Sequence, residues 1–233
     1  QFLNNYCKDI DSSFLENIYD RAQADALLEQ ADEVIAKCTY VDTKSFKKWL
    51  GQHAEIIKRI ESLKTGKNSH IITHIGEGKR LDPLSSIEYK IMRLTGLARP
   101  GMHLIHALSA DINDYKHMAK NGVGVIWSPS SNIILYGETL DLAKIAEMEE
   151  KEKVTLTMSL GSDWTPTGTK GVIDEVKLAK KYVVKNKLTK HFSDKRLFDM
   201  ITSTPAKMIG RYGKDGASAG YGTLETGALA SFI

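Results

Sequence analysis

The chain has 233 residues, 42% of them hydrophobic, and its 32 basic and 29 acidic side chains leave a formal charge of +3. That length suits one large α/β domain or two small ones, and the near balance of interspersed charges argues against nucleic acid as a partner. No run of eighteen apolar residues occurs, so no membrane-spanning helix is expected.

Residues 1–66 read as a helical segment. Ser13 and Glu16 fit a capping box for a helix over 13–38, and Phe46, Trp49, Leu50, Ile56, Ile57, Ile60 and Leu63 recur at helical spacing over 43–63. His53 lies on that stripe and reads as a packing residue. Cys7 and Cys38 stand far apart and outside any metal-binding spacing. Two reduced thiols in a cytoplasmic protein is the plainer account of them, with a disulfide as the alternative.

From Ser69 the pattern changes to strand-like runs alternating with helix-like ones. Strands are expected over 69–75, 101–107, 123–127 and 154–160, and helices over 84–96, 111–121, 139–152 and 170–186, then shorter ones over 193–201 and 204–210. Asp111 and Ser193 are expected N-caps, and Gly122 a helix stop. Such a β/α repeat makes a parallel sheet covered by helices. Four units cannot close an eight-stranded barrel, so the alternatives are a small open α/β sheet or the C-terminal half of a barrel. The glycine-rich tail from 216 to 233 reads as a separate segment, leaving 67–215 for the β/α repeat. The start at Gln1 and the apolar end Ser231-Phe232-Ile233 suggest a piece of a longer chain.

Polar residues stand where each apolar run stops. Residues at the carboxyl ends of parallel strands are badly placed for packing and well placed for chemistry. His74 ends Ile71-Ile72-Thr73, and Glu77 follows it three residues later. A strand-end histidine suits a metal ion, and a nearby glutamate can move protons. The pair H-x-x-E also fits a hydrogen-bonded loop histidine beside a surface glutamate. In Met102-His103-Leu104-Ile105-His106 the odd spacing puts His103 and His106 on opposite faces of a strand. His106, nearer the carboxyl end, is the candidate for chemistry, and His103 reads as structural. Ser128-Pro129-Ser130-Ser131-Asn132 can hydrogen-bond a polar substrate, or simply turn the chain toward a helix. The run Val154–Gly161 delivers Ser162-Asp163-Trp164, where the Asp163 carboxylate could bind a divalent metal or accept a proton. Trp164, Tyr136 and Trp127 could wall a flat ring, or fill a core.

These motifs, in this order, resemble the amidohydrolase superfamily, in its cytosine and guanine deaminase-like and chlorohydrolase-like branch. His74 with Glu77 is similar to that family's fifth-strand H-x-x-E, His106 to its sixth-strand histidine, Ser128 to Asn132 to the loop after its seventh strand, and Gly161-Ser162-Asp163 to its eighth-strand motif. Thr204-Pro205-Ala206-Lys207 and Gly222 to Gly227 resemble the exit from the barrel into a small β-sandwich. The resemblance implies a partial (β/α)8 barrel and one divalent metal, zinc first with iron or manganese as alternatives. It implies metal ligands at His74 and Asp163, catalytic roles for Glu77, His106 and Asp163, and substrate contacts at Ser131, Asn132 and Trp164. The implied reaction is attack of hydroxide on a carbon bearing nitrogen in a small molecule, as in a deaminase or an amide or cyclic-amidine hydrolase. A homo-oligomer is compatible with this reading. The family's H-x-H is missing from the chain, so the reading expects it upstream of Gln1 in a longer parent. The competing readings are a barrel homologue without a metal site and a small open α/β binding domain.

Overall fold

The computed structural model describes residues 70–80, 82–94, 98–164, 166–210, 212, 214–215 and 218–229. The expected helices over 13–38 and 43–63, His53, both cysteines and the chain end at 230–233 lie outside the described residues.

Four strands, β1 (Ile71–Ile75), β2 (Met102–His106), β3 (Gly124–Trp127) and β4 (Met158–Leu160), form one sheet in the order in which they occur. Every pairing is parallel. Between them run α1 (Pro83–Leu94), α2 (Ile112–Lys120), α3 (Pro129–Tyr136) and α4 (Leu142–Glu152), and α5 (Val172–Lys185), α6 (Asp194–Asp199) and α7 (Ser203–Met208) follow. A short antiparallel pair, β5 (Lys214–Asp215) with β6 (Ser218–Ala219), makes its own two-stranded sheet. Sequential order without reversal is the winding of a barrel segment; a doubly wound sheet reverses at a switch point.

The register explains which face is the core. Leu104 pairs with Val125 and Val125 with Met158, so the three form a row of buried side chains across the sheet. Met92 of α1, Met118 of α2, Ile145 of α4, and Ala179 and Val183 of α5 pack into the same cluster. Residues of the other parity are less covered: Ile72 is 51% exposed and Ile105 and Ile126 are half-buried. Near the start of β2, Met208 of α7 covers this second face.

The helix boundaries follow from local chemistry. Asp111 and Asp114 make a reciprocal capping box on α2, and Gly122, at φ +64°, follows that helix's last turn. The Ser193 side chain accepts from the Arg196 N–H at the start of α6.

Two expectations need correction. The stretch after β3 is not a loop but the helix α3, so the predicted helix over 139–152 is confined to 142–152. Pro129 at the first position of α3 and Gly137 just past its end, at φ +74°, are its start and stop signals. The predicted strand over 154–160 is paired only over 158–160. Lys153 ends α4 in the left-handed region, and the Leu156 N–H then donates to Glu149 Oε1 at 2.9 Å. Arg196 grips Glu149 at 2.7 Å through both terminal nitrogens. This part of the chain is therefore tied to α4 and α6 before it reaches the sheet.

Candidate functional site

The carboxyl ends of the four strands carry the residues expected to do chemistry. His74 is exposed, one residue short of the end of β1. The chain turns at once through Gly76, whose φ of +68° and close approach to Ala107 and the Ser109 hydroxyl exclude a larger residue. The Gly76 N–H donates to Glu88 Oε2 at 2.7 Å, and its carbonyl accepts from the Ser109 N–H at 3.0 Å. The turn presents Glu77 to the rim.

His106 ends β2 with φ of +68°, and Ala107 follows at +50°. The strand's alternation breaks there, so the parity that would bury His106 with Leu104 does not govern its ring. Asp163 also lies in the left-handed region, at φ +59°. Such conformations cost a non-glycine residue of order 1–3 kcal/mol and cluster at functional sites. Fully buried, the His106 ring has its Nδ1 2.9 Å from Asn132 Oδ1. Asn132 Nδ2 turns to Thr139 Oγ1 at 3.4 Å, and Thr139 in turn accepts from Trp127 Nε1 at 2.7 Å. With its amide nitrogen engaged there, Asn132 offers His106 an acceptor. Nδ1 is therefore the donor to Asn132, and Nε2 is the nitrogen turned toward the rim.

That Nε2 is buried and without a hydrogen-bond partner. It lies 3.5 Å from Glu77 Oε1 and 3.7 Å from Asp163 Oδ2, and the ring stands 5.6 Å from that of His74, centroid to centroid. One ligand atom each from His74, Glu77 and His106 lie within 4.8 Å of one another, close enough to share a metal ion. The site thus joins His74 to Glu77 and His106 as the trio, with Asp163 outside it and linked through His106. Asp163 Oδ1 accepts from the Trp164 N–H at 2.9 Å.

Of the residues expected at the substrate, Trp164 is 64% exposed, whereas Ser131 and Asn132 are buried. The Ser131 hydroxyl pairs with that of Thr167 at 3.2 Å, and Asn132 serves the His106 ring. Trp127 packs in the core, edge-on to Tyr182, so the alternative of a core residue holds for it. Tyr136 is at the rim and donates its hydroxyl proton to Glu77 Oε1 at 3.2 Å. Burial first, then the charge of Glu77, pushes its phenol up to about 12, so it remains a donor across the neutral range.

Sequence reasoning missed Glu175. This buried carboxylate in the first turn of α5 accepts from the Ser130 N–H at 2.8 Å, from the Ser130 hydroxyl and from the Thr169 hydroxyl at 2.7 Å. It ties the start of α3, which carries Asn132, to the segment that follows Asp163. The one signal available was an acid in a helix's first turn, and that is common on solvated helices.

No family model matches the sequence, and no curated protein matches it. Solved structures do. A triazine hydrolase from Arthrobacter aurescens superposes with a TM-score of 0.56 at 18% identity, over 73% of this chain and 36% of that one. An atrazine chlorohydrolase variant from the same species, complexed with zinc and atraton, gives 0.56 at 17% over the same shares. An adenosine deaminase from Xanthomonas campestris with bound zinc gives 0.53 at 17% identity, over 69% of this chain and 36% of that one. The chain shares the fold of part of these structures, a run of parallel β/α units. At these identities the likeness is one of fold, and the chain spans about a third of the length of the structures it matches.

Proposed function

We propose that the chain carries one rim of a metal-dependent hydrolase site that acts on carbon–nitrogen bonds, of the deaminase or cyclic-amidine hydrolase type. The observation that carries the reading is the unpartnered, buried Nε2 of His106 between two carboxylates. A buried imidazole nitrogen without a partner, beside a second imidazole and a carboxylate, is a donor set that suits a divalent cation.

His74, Glu77 and His106 would hold the ion, which supplies Lewis acidity and lowers the pKa of a water toward ~7 when bound. Three protein ligands are the usual complement of a catalytic zinc. Zinc is the first choice because two of the similar structures contain it, and iron or manganese accept the same ligands. The reading keeps Asp163 as the proton acceptor rather than as a ligand: the Trp164 N–H holds one of its oxygens and leaves the other facing His106. The proton that Asp163 takes from the water would be handed on to the departing nitrogen, with the Glu77 oxygen not on the ion as the relay. Asn132 keeps His106 in its working tautomer, and Trp164 offers an open aromatic face to a flat ring. The similar structures include a triazine hydrolase and an adenosine deaminase, so flat nitrogen heterocycles are the substrate class to try first.

The test is metal content of the purified protein, with turnover of aminopurines, aminopyrimidines, triazines and N-acyl compounds. The reading predicts one zinc per chain and hydrolysis of at least one ring class, lowered roughly 100-fold or more in Asp163→Ala. A protein that takes up no metal and turns over none of the panel would leave the binding-module reading in its place.

A further inference from the structure

Glu77 lies on an exposed loop, and a carboxylate on a loop works at one geometry only if neighbouring groups hold it. The holding groups come from the far end of α3. Tyr136 donates to Glu77 Oε1, the same oxygen that faces His106 Nε2. Three residues beyond Glu77, Arg80 fastens to the chain just past Tyr136. Its backbone N–H donates to Glu138 Oε1 at 2.9 Å, its Nε to Glu138 Oε2 at 2.7 Å, and its Nη1 to Asp141 Oδ2 at 3.2 Å. The Arg80 N–H and then its guanidinium hold the Glu138 carboxyl below the usual carboxylate range.

A lone exposed ion pair contributes little. Here one carboxylate takes both the backbone and the side chain of the same arginine, which fixes the loop's register as well as neutralising charge. Gly137 makes this arrangement possible. Its left-handed turn ends α3 so that Tyr136, on one side of it, and Glu138, on the other, both meet the 77–80 loop.

We propose that Tyr136 is a positioning residue which, backed by the Arg80–Glu138 clasp, holds the Glu77 carboxylate against His106. The inference rests on the reading of His74, Glu77 and His106 as a cation site. A hydroxyl that donates to that oxygen restricts the carboxylate's rotation and keeps Oε1 facing His106, with a further lone pair on it for a cation.

Two measurements on the whole chain separate this inference from the reading beneath it. The first is metal-free: crystal structures of the wild type and Tyr136→Phe. Glu77 is expected against His106 in the wild type and turned toward solvent in the variant, with the unfolding free energy unchanged. A Glu77 that stays in place without the hydroxyl overturns the inference. The second is calorimetric zinc titration. Tyr136→Phe should weaken binding roughly tenfold, as loss of an outer hydrogen-bond partner does, and Arg80→Gln by a smaller factor. Wild-type affinity in Tyr136→Phe, together with a large loss in Glu77→Gln, overturns the positioning role and leaves the cation site standing. A wild type that binds no zinc overturns the cation site, and with it the purpose assigned to Tyr136.

Discussion

Two histidines on one strand, three residues apart, meet opposite fates. His103, near the start of β2, sends its Nε2 to the Met208 carbonyl and stacks on His70, with ring centroids 5.6 Å apart. Its Nδ1 faces the backbone of Gly124, where even a methyl group would lie 2.6 Å away. His106, at the strand's end, has Nδ1 fixed by Asn132 and Nε2 set between Glu77 and Asp163. Both rings are buried, and each has one nitrogen without a hydrogen-bond partner. What differs is the neighbour of the unpartnered nitrogen: a backbone wall at one end of the strand, two carboxylates at the other. The same side chain packs against backbone or faces ionisable groups according to the strand end at which it stands.

The largest expected effect separates the two ends outright. His106→Ala should cause the largest loss of zinc affinity in a calorimetric titration while the chain stays folded by circular dichroism, and His103→Gln should leave zinc affinity within a few-fold of wild type. Equal losses in both would erase the contrast.

Next in size is a stability effect at the packed end alone. Gly124→Ala would put its Cβ 2.6 Å from His103 Nδ1 and 2.8 Å from Met208 Cε. Overpacking of this kind costs about 1–3 kcal/mol, to be read from urea denaturation, with zinc affinity unchanged. Glu175→Ala should cost a similar ~1–3 kcal/mol by leaving the buried Ser130 N–H without its acceptor. Because α3 carries Asn132, this second variant should also weaken zinc binding, where Gly124→Ala does not.

The smallest effect is in pH. Burial holds the pKa values of His70, His103 and His117 below the ordinary 6.5. The unfolded chain therefore binds more protons in this range. Stability is fully present above pH 6.5 and falls as the pH drops below it toward the folded pKa values. His103→Gln should flatten the acid side of a stability–pH curve measured by urea denaturation; an unaltered slope would remove His103 from the account.

How much of this was legible in the sequence depends on the range of the interaction. The β/α alternation and the strand-end residues His74, Glu77, His106 and Asp163 were readable because apolar runs that stop at a polar residue are local signals. The helix α3 was not, because Ser128-Pro129-Ser130 reads equally as a turn or as a proline-started helix, and the buried Glu175 that supports it lies 45 residues away. The first half of the predicted fourth strand looked apolar and β-branched, yet Glu149 and Arg196 claim its backbone, and neither contact has a local trace. His106 was assigned to the site for its place at the strand's end, although strand alternation pointed it the other way. The left-handed backbone that resolves this is a property of the fold, since nothing in Ile105-His106-Ala107 demands it.

The proposed site has His74, Glu77 and His106 gripping one cation. X-ray absorption spectroscopy of the zinc-loaded chain tests this most directly. It should find one zinc per chain, with two imidazole nitrogens and a carboxylate oxygen in its coordination shell, and the imidazole signal should drop by half in His74→Ala. A shell without imidazole, or one that His74→Ala leaves unaltered, would contradict the account.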